Sequence, residues 1–296
     1  MKLLITSLLV LLSITSSAQK KETGENKTQF TGLSVRVGTF LSRPDVGQPI
    51  TSFRKLAPNS SLAFRDVIDF EQNKFNITGV DAPIIDIGTH FTKPSETGET
   101  KKWNPEFSIG ISYNPIELLA SSYQNYEILR IDTLQSTQTG QDVYVDSIVN
   151  QSFNYSYQQE LIYLNVGASI STNPMKRWRI SIGVEASVGY SLIARTFLDK
   201  AQFDRLESSD GSFVRGLTVG GPDFEHEQID NERGISTRLA LPVVLSFRLS
   251  KELDKQLSNY ILVLENRPNF THYNIQELDS QFLYTNALGI GIRYVI

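Results

Sequence analysis

The chain has no cysteine among its 296 residues. That removes disulfides, thiolate nucleophiles, iron–sulfur clusters and cysteine-ligated zinc together. It also has no basic block. Its 28 Lys and Arg face 32 Asp and Glu, a net charge of −4, without the clustered positive face that a nucleic-acid binder needs. Histidine is scarce, with only His90, His226 and His272 available for general-base or metal chemistry. Beyond the N-terminus no apolar run reaches 18 residues, so no helix crosses a bilayer. With a mean hydropathy of −0.20, these absences suggest a soluble chain of one or two domains. The pattern of what is present overturns that suggestion.

Residues 1–18 have the three parts of a secretory signal peptide. Lys2 is the positive n-region, Leu3 to Leu12 form a short apolar stretch, and Ser16-Ser17-Ala18 present small residues before Gln19. The apolar stretch is too short for a membrane anchor, which needs about 20 residues, and no cysteine follows it for a lipid. A polar periplasmic tether, residues 19–29, leads into a domain spanning 30–296.

That domain repeats period two. In Trp178–Arg195, Trp178, Ile180, Ile182, Val184, Ala186, Val188, Tyr190, Leu192 and Ala194 occupy one face, and Arg179, Ser181, Gly183, Glu185, Ser187, Gly189, Ser191, Ile193 and Arg195 the other. Alternation over that length predicts a strand, longer than the globular norm of about five or six residues and suited to crossing a bilayer at a tilt. Similar segments run from Leu33 to Leu41, Ile85 to Phe91, Phe107 to Tyr113, Ile162 to Ser171, Ile235 to Leu249 and Leu288 to Ile296. A weaker one, Tyr260 to Glu265, is apolar on both faces.

Eight strands, with connections alternately long (42–81, 115–158, 196–233, 267–280) and short (92–102, Asn173 to Lys176, 250–257), predict a closed antiparallel transmembrane β-barrel. Long loops would lie outside the cell, and both termini in the periplasm of a cell outer membrane. Outward Phe91, Phe107, Trp178, Phe247, Tyr260 and Tyr294 fall at the periplasmic strand ends as an aromatic girdle, with Tyr113, Tyr190 and Tyr284 toward the other interface. A soluble β-sandwich would also alternate, but it would not sort its connections by length.

The inward face carries Arg36, Asp86, Arg179, Glu185, Arg195, Arg238, Arg248 and Arg293 among many Gly and Ser. An eight-stranded barrel is just wide enough for side chains to fill it. These residues therefore predict a packed network of Arg–carboxylate pairs rather than an anion-conducting lumen.

The cleavage point at Ala18-Gln19, the eight alternating strands and the terminal run Gly289-Ile290-Gly291-Ile292-Arg293-Tyr294-Val295-Ile296 together resemble outer-membrane β-barrel proteins of Bacteroidota, of the PorT-like type. The resemblance covers the whole mature chain and is architectural. It implies a barrel fold, an outer-membrane location and a last strand read by the barrel-assembly machinery at Gly291, Tyr294 and Ile296. Ile296 replaces the usual terminal Phe. PorT itself is associated with protein secretion, but one fold hosts many functions.

Specific function is left to the loops. Tyr126–Leu134 and Gln141–Val149 flank a Gln138-Thr139-Gly140 turn as a hairpin above the membrane. They would give ten spanning strands if they entered it, against a cost of about 2–4 kcal/mol for Arg or Lys at the midplane. Asp132-Thr133-Leu134 and Asp146-Ser147-Ile148 resemble a short O-glycosylation sequon. Asp223-Phe224-Glu225-His226-Glu227-Gln228-Ile229-Asp230 is close to His-Glu-x-x-His, but Asp230 replaces the second ligand, and glycines and a proline mark a loop rather than the helix that motif needs. A solvated acidic loop, with weak calcium binding open to its carboxylates, is the expectation. No cofactor or metal is implied, and no motif joins the histidines into a catalytic set.

The sequence thus predicts a non-enzymatic outer-membrane barrel with a packed polar interior. It would act through loop-mediated binding of an envelope protein or extracellular ligand, or within a secretion or uptake assembly. Its other partners would be outer-membrane lipid and the barrel-assembly machinery, and not nucleic acid. A passive small-solute porin and an outer-membrane hydrolase are the alternatives.

Overall fold

A computed structural model describes residues 29–40, 48–72, 83–92, 103–135, 140, 142–172, 176–208, 223–250, 256–278 and 280–296. The signal peptide, most of the tether, the Asn173-Pro174-Met175 turn and Gly220-Gly221-Pro222 lie outside these residues.

The strands are β1 (Gln29–Phe40), β2 (Glu71–Gln72), β3 (Ile84–Thr92), β4 (Trp103–Gln135), β5 (Asp142–Thr172), β6 (Trp178–Ser208), β7 (Asp223–Asp230), β8 (Ile235–Ala240), β9 (Val243–Arg248), β10 (Tyr260–Tyr273) and β11 (Gln281–Val295), with a helix α1 (Ile50–Leu56). β8 and β9 keep one register against β6 and against β10 across Leu241-Pro242, and so form a single interrupted strand. The antiparallel order β1–β3–β4–β5–β6–β8/β9–β10–β11 then returns to β1, where Gly32 pairs with Val295 and Phe40 with Ala287. This is a closed ring of eight strands. The hairpin that could have added two more is the continuation of β4 and β5 beyond the ring, paired as far as Gln135↔Asp142.

Closure leaves the eight-stranded ring without an edge, the condition for a β-structure to sit in hydrocarbon. The outer face supplies the matching surface: Leu164, Val166, Val188 and Ile290 are each more than half exposed, in a continuous belt with Val35, Val37, Ile109, Ile182, Leu245 and Ile292. The expected girdle residues pair across strands at the lower end, the end that carries Gln29 and Ile296. Trp178 and Phe247 rings lie 4.5 Å apart, those of Tyr260 and Tyr294 5.2 Å, and Phe91 is in register with Phe107. Phe30 joins them 5.8 Å from Phe91.

Three strands outgrow the membrane. β4 has 33 residues, and β5 and β6 have 31 each, where a tilted crossing takes roughly 9–11. Along β5 the polarity of the two faces reverses. Ile162 to Ile170 point apolar groups outward over a polar inner row of Asn165, Gly167 and Ser169. Above them, Ser156, Asn154 and Ser152 face outward, and Tyr157, Tyr155 and Phe153 inward. The reversal marks where the surroundings change from lipid to water.

The apolar inner face of this upper sheet is filled by residues 48–72, not left open below a loop. Phe53 and Leu56 of α1, with Ala57, Leu62, Ala63 and Val67, pack on Leu118, Leu119, Tyr123, Phe153, Tyr155, Tyr157 and Leu198. Phe53 stacks on Tyr155 at 5.4 Å, and Phe70 meets Phe153 edge-on at 5.3 Å. This cap closes the upper mouth. Two connections are shorter than expected: β10 continues to Tyr273, reducing 267–280 to a tight turn, and β6 and β7 take up much of 196–233.

Candidate functional site

The polar network occupies the lower lumen. Its register follows from alternation: Arg36 lies opposite Asp86 on β3 and Gly291 on β11, and Arg293 opposite Ser34. Glycine is required where a long side chain crosses the lumen. A Cβ on Gly291 would come within 2.6 Å of the Arg36 side chain, and one on Gly189 within 2.4 Å of the Tyr163 ring.

Two linked groups result. In the lower one, Arg293 Nη1 donates to Glu106 Oε1 at 2.6 Å, and Arg179 approaches the same carboxylate at 3.6 Å. His90 Nδ1 lies 2.8 Å from Glu106 and its Nε2 2.8 Å from Ser34 Oγ. In the upper group Arg267 is bound by Asp86 at 2.9 Å and by Glu265, which also pairs with Arg36, while Glu185 stands 3.8 Å away. Arg238 completes it, 3.6 Å from Glu185, donating to Ser112 and Asn165 at 3.2 and 3.1 Å and stacked 4.4 Å over the Tyr163 ring.

Six of the eight interior residues named from sequence, Arg36, Asp86, Arg179, Glu185, Arg238 and Arg293, are therefore brought together. Arg248 is half-buried at the lower end of β9. Arg195 is not in the lumen. It is 38% exposed and pairs with Asp230 at 3.0 Å on the outer face. The cause is a β-bulge: the β5–β6 register slips so that Leu161 faces Ser191 but Glu160 faces Ile193. The extra residue turns Arg195 outward and Ala194, expected outside, inward. Glu106, Glu265 and Arg267 are the network members that alternation about the named strand cores missed. Glu106 stands one step before the expected strand. Arg267 lies two beyond Glu265, in the same inward phase as Ile261 and Val263, between an Asn266 and a Pro268 that read as a strand end.

Ser34, His90 and Glu106 have the spacing of a nucleophile, base and orienting carboxylate. Their setting is different. Ser34 is 2% exposed and Glu106 is held by Arg293, so the three side chains are buried within the polar network, beside a cavity of about 60 Å³.

The acidic segment 223–230 is strand β7, not a helix. His226 and Asp230 are then four residues apart along a strand, roughly 13 Å, and cannot share a metal. Among the described residues no three metal-type side chains cluster. His226 instead bonds Asp199 at 2.5 Å, facing outward, and Glu225 and Glu227 face the cap. Ser61 Oγ donates to Glu227 at 2.6 Å, Arg65 lies 3.6 Å from Glu225, and Asn231 donates to the Leu56 carbonyl at 2.6 Å. Burial alone would raise the Glu227 pKa, but hydrogen bonds from Ser60, Ser61 and the Leu62 backbone together hold it below the usual carboxylate value. His272, in strand β10 rather than a loop, stacks on Phe282 at 4.5 Å on the outer face.

The outer face of the upper sheet is the remaining concentration of chemistry. Tyr126, Ile128, Phe203 and Phe224 are 48–64% exposed. Arg130 lies 4.0 Å over the Tyr144 ring, Arg205 donates to Tyr126 Oη at 2.9 Å, and Phe203 meets Phe224 at 5.5 Å.

No family model matches the chain, and no curated protein matches it. Among solved structures it is similar to Ail, the attachment invasion locus protein of Yersinia pestis, in complex with the heparin analogue sucrose octasulfate, with 8% identity over 92% of this chain and 100% of that one, TM-score 0.28. Ail alone aligns at 7% identity over 90% and 98%, TM-score 0.29, and OmpT of Vibrio cholerae at 12% over 93% and 99%, TM-score 0.16. Likeness at this level carries no argument. The closed eight-stranded ring and its lipid-facing belt stand on their own pairing, and they make this chain an outer-membrane β-barrel protein.

Proposed function

We propose that this barrel is non-enzymatic and acts as a binding platform. Its outer-membrane segment is a plug-like support, and the exposed face of its upper sheet engages an envelope protein or an extracellular ligand. One observation carries the reading: Tyr126, Ile128, Phe203 and Phe224 share a face with Arg130 and Arg205 at a height where the surroundings are water. Aromatic and arginine side chains are the residues that dominate interface cores. The cap beneath makes the face rigid, which lowers the ordering cost of binding.

In this reading the lower end, with Gln29, Ile296 and the short turns, faces the periplasm, and the long sheet projects outward. Strand β11, with Gly291, Tyr294 and Ile296, is what the barrel-assembly machinery would recognise, and the architectural resemblance to PorT-like barrels is consistent with a part in a secretion or uptake assembly. Passive conduction is opposed by the cap and by a lower lumen crossed by Arg–carboxylate pairs. A photo-crosslinking residue at Ile128 or Phe203 in cells should yield a discrete protein or glycan adduct, with Leu164 on the lipid-facing belt as the control. Adducts at Leu164 alone, or steady open channels from the purified barrel in planar bilayers, would refute the proposal.

A further inference from the structure

The lower lumen contains more positive charge than its own carboxylates complete. A cavity of about 60 Å³ is bounded by Arg36, Arg179, Arg293, His90, Glu106 and Glu185, with serines between them. Glu185 is engaged from above by Arg238 and Arg267, and Arg36 is engaged by Glu265. That leaves Arg179 and Arg293 sharing one carboxylate, Glu106, which also accepts from His90. Arg293 takes the hydrogen bond at 2.6 Å, and Arg179 stays 3.6 Å away, beyond hydrogen-bond reach.

Arg179 is nine-tenths buried. Its Nε and those of Arg293 and Arg36 are buried without an acceptor among the described residues, and all three residues line the same cavity. A buried guanidinium needs both a counter-charge and hydrogen-bond acceptors, and here three arginines with an unpartnered Nε border one small space of mixed lining.

We propose that this cavity is a binding site for a small inorganic anion, held between Arg179 and Arg293 with Arg36 at its margin. Its size sets the class. About 60 Å³ is roughly four waters' worth, enough for a halide or a tetrahedral oxyanion and too little for an acid as large as gluconate. Access is from the end that carries the termini, because the cap closes the other. The anion supplies the counter-charge for Arg179 and locks four strands, β1, β4, β6 and β11, around one centre. The site is a stabilising element of the lumen, and it stands whether or not the upper sheet binds a partner.

The test uses the full mature barrel refolded in detergent, with unfolding rates compared at equal ionic strength. Chloride, bromide and phosphate are set against gluconate, which is too large to enter. Unfolding should be at least threefold faster in gluconate, and crystals grown in bromide should show anomalous density between Arg179 and Arg293. Response to phosphate but not halide assigns the site to an oxyanion, and response to both to either class. Arg179→Gln should remove the difference while keeping the heat-modifiable folded band, whereas Arg233→Gln, at an exposed position between β7 and β8, should preserve it. Equal rates in all four salts, or a difference that survives Arg179→Gln, would overturn the site.

Discussion

The heaviest single demand on the lumen falls on Arg267. The residue is 3% exposed, and its guanidinium binds Asp86 and Glu265, with Glu185 nearby. Replacing it by Met keeps the length and removes the charge. Glu265 still has Arg36 and Glu185 still has Arg238, so the residue that loses its hydrogen-bonded cation is Asp86, itself 6% exposed and left with only the more distant field of its cross-strand neighbour Arg36. Breaking one side of a buried pair costs about 3–5 kcal/mol, roughly two to three and a half decades in the folding equilibrium. Removing both sides should recover most of that, because an apolar replacement of a buried pair is often neutral. Arg267→Met combined with Asp86→Leu is therefore expected within about 1.5 kcal/mol of the parent. Urea unfolding from lipid vesicles measures both variants. The two tryptophans, Trp103 and Trp178, sit at the lower belt and report loss of the lipid environment, with heat-modifiable migration as an independent readout. A cost below about 1 kcal/mol for the single variant, or a double variant no better than the single, would mean that the Arg–carboxylate network does not hold the barrel closed.

Further predictions concern the cap and the wall. Phe53→Ala removes a fully buried ring stacked on Tyr155 and should cost about 3–5 kcal/mol locally. It should be seen as faster trypsin cleavage at Arg54, Lys55 and Arg65 while the barrel band stays heat-modifiable. Glu227 has a pKa held below its ordinary 4.5, so its contribution to cap docking is complete above that value and disappears as pH falls through the depressed one. Trypsin-independent protection of residues 48–72 in hydrogen exchange should therefore be flat from pH 8 to 5 and decline below about 4.5, and Glu227→Gln should flatten the profile. Gly189→Val places its Cβ against the Tyr163 ring and should reduce folded yield more than Gly140→Val, whose Cβ would meet nothing within 4 Å. Gly140→Val would still carry a modest backbone penalty for its positive φ.

The ring itself was legible because a lipid-facing wall forces strict alternation. Every strand core that exposes one face to hydrocarbon and one to a polar lumen records its orientation in residues of period two. What alternation could not record is a change of phase. The bulge at Leu192 leaves no mark in composition, since Leu192, Ile193 and Ala194 suit either face, and so an unbroken period of two points Arg195 inward. Strand ends are similarly ambiguous where a proline falls inside a wall. Pro268 lacks a donor, yet its carbonyl still accepts from Leu241, so the strand passes through a residue that ordinarily ends one. The cap was hidden for a different reason. Its apolar residues, Phe53, Leu56, Leu62 and Val67, are irregularly spaced, and their partners on β4 to β6 are apolar on the face that lower down is polar. A reader of one strand sees alternation lose its sense near Glu160, which looks like the end of the membrane segment. In fact the same strand continues with its faces exchanged, because the solvent outside changed from lipid to water and the space inside from charged side chains to a folded segment of the chain. An alternating pattern therefore fixes the lengths of such strands only when both possible environments are tried against it.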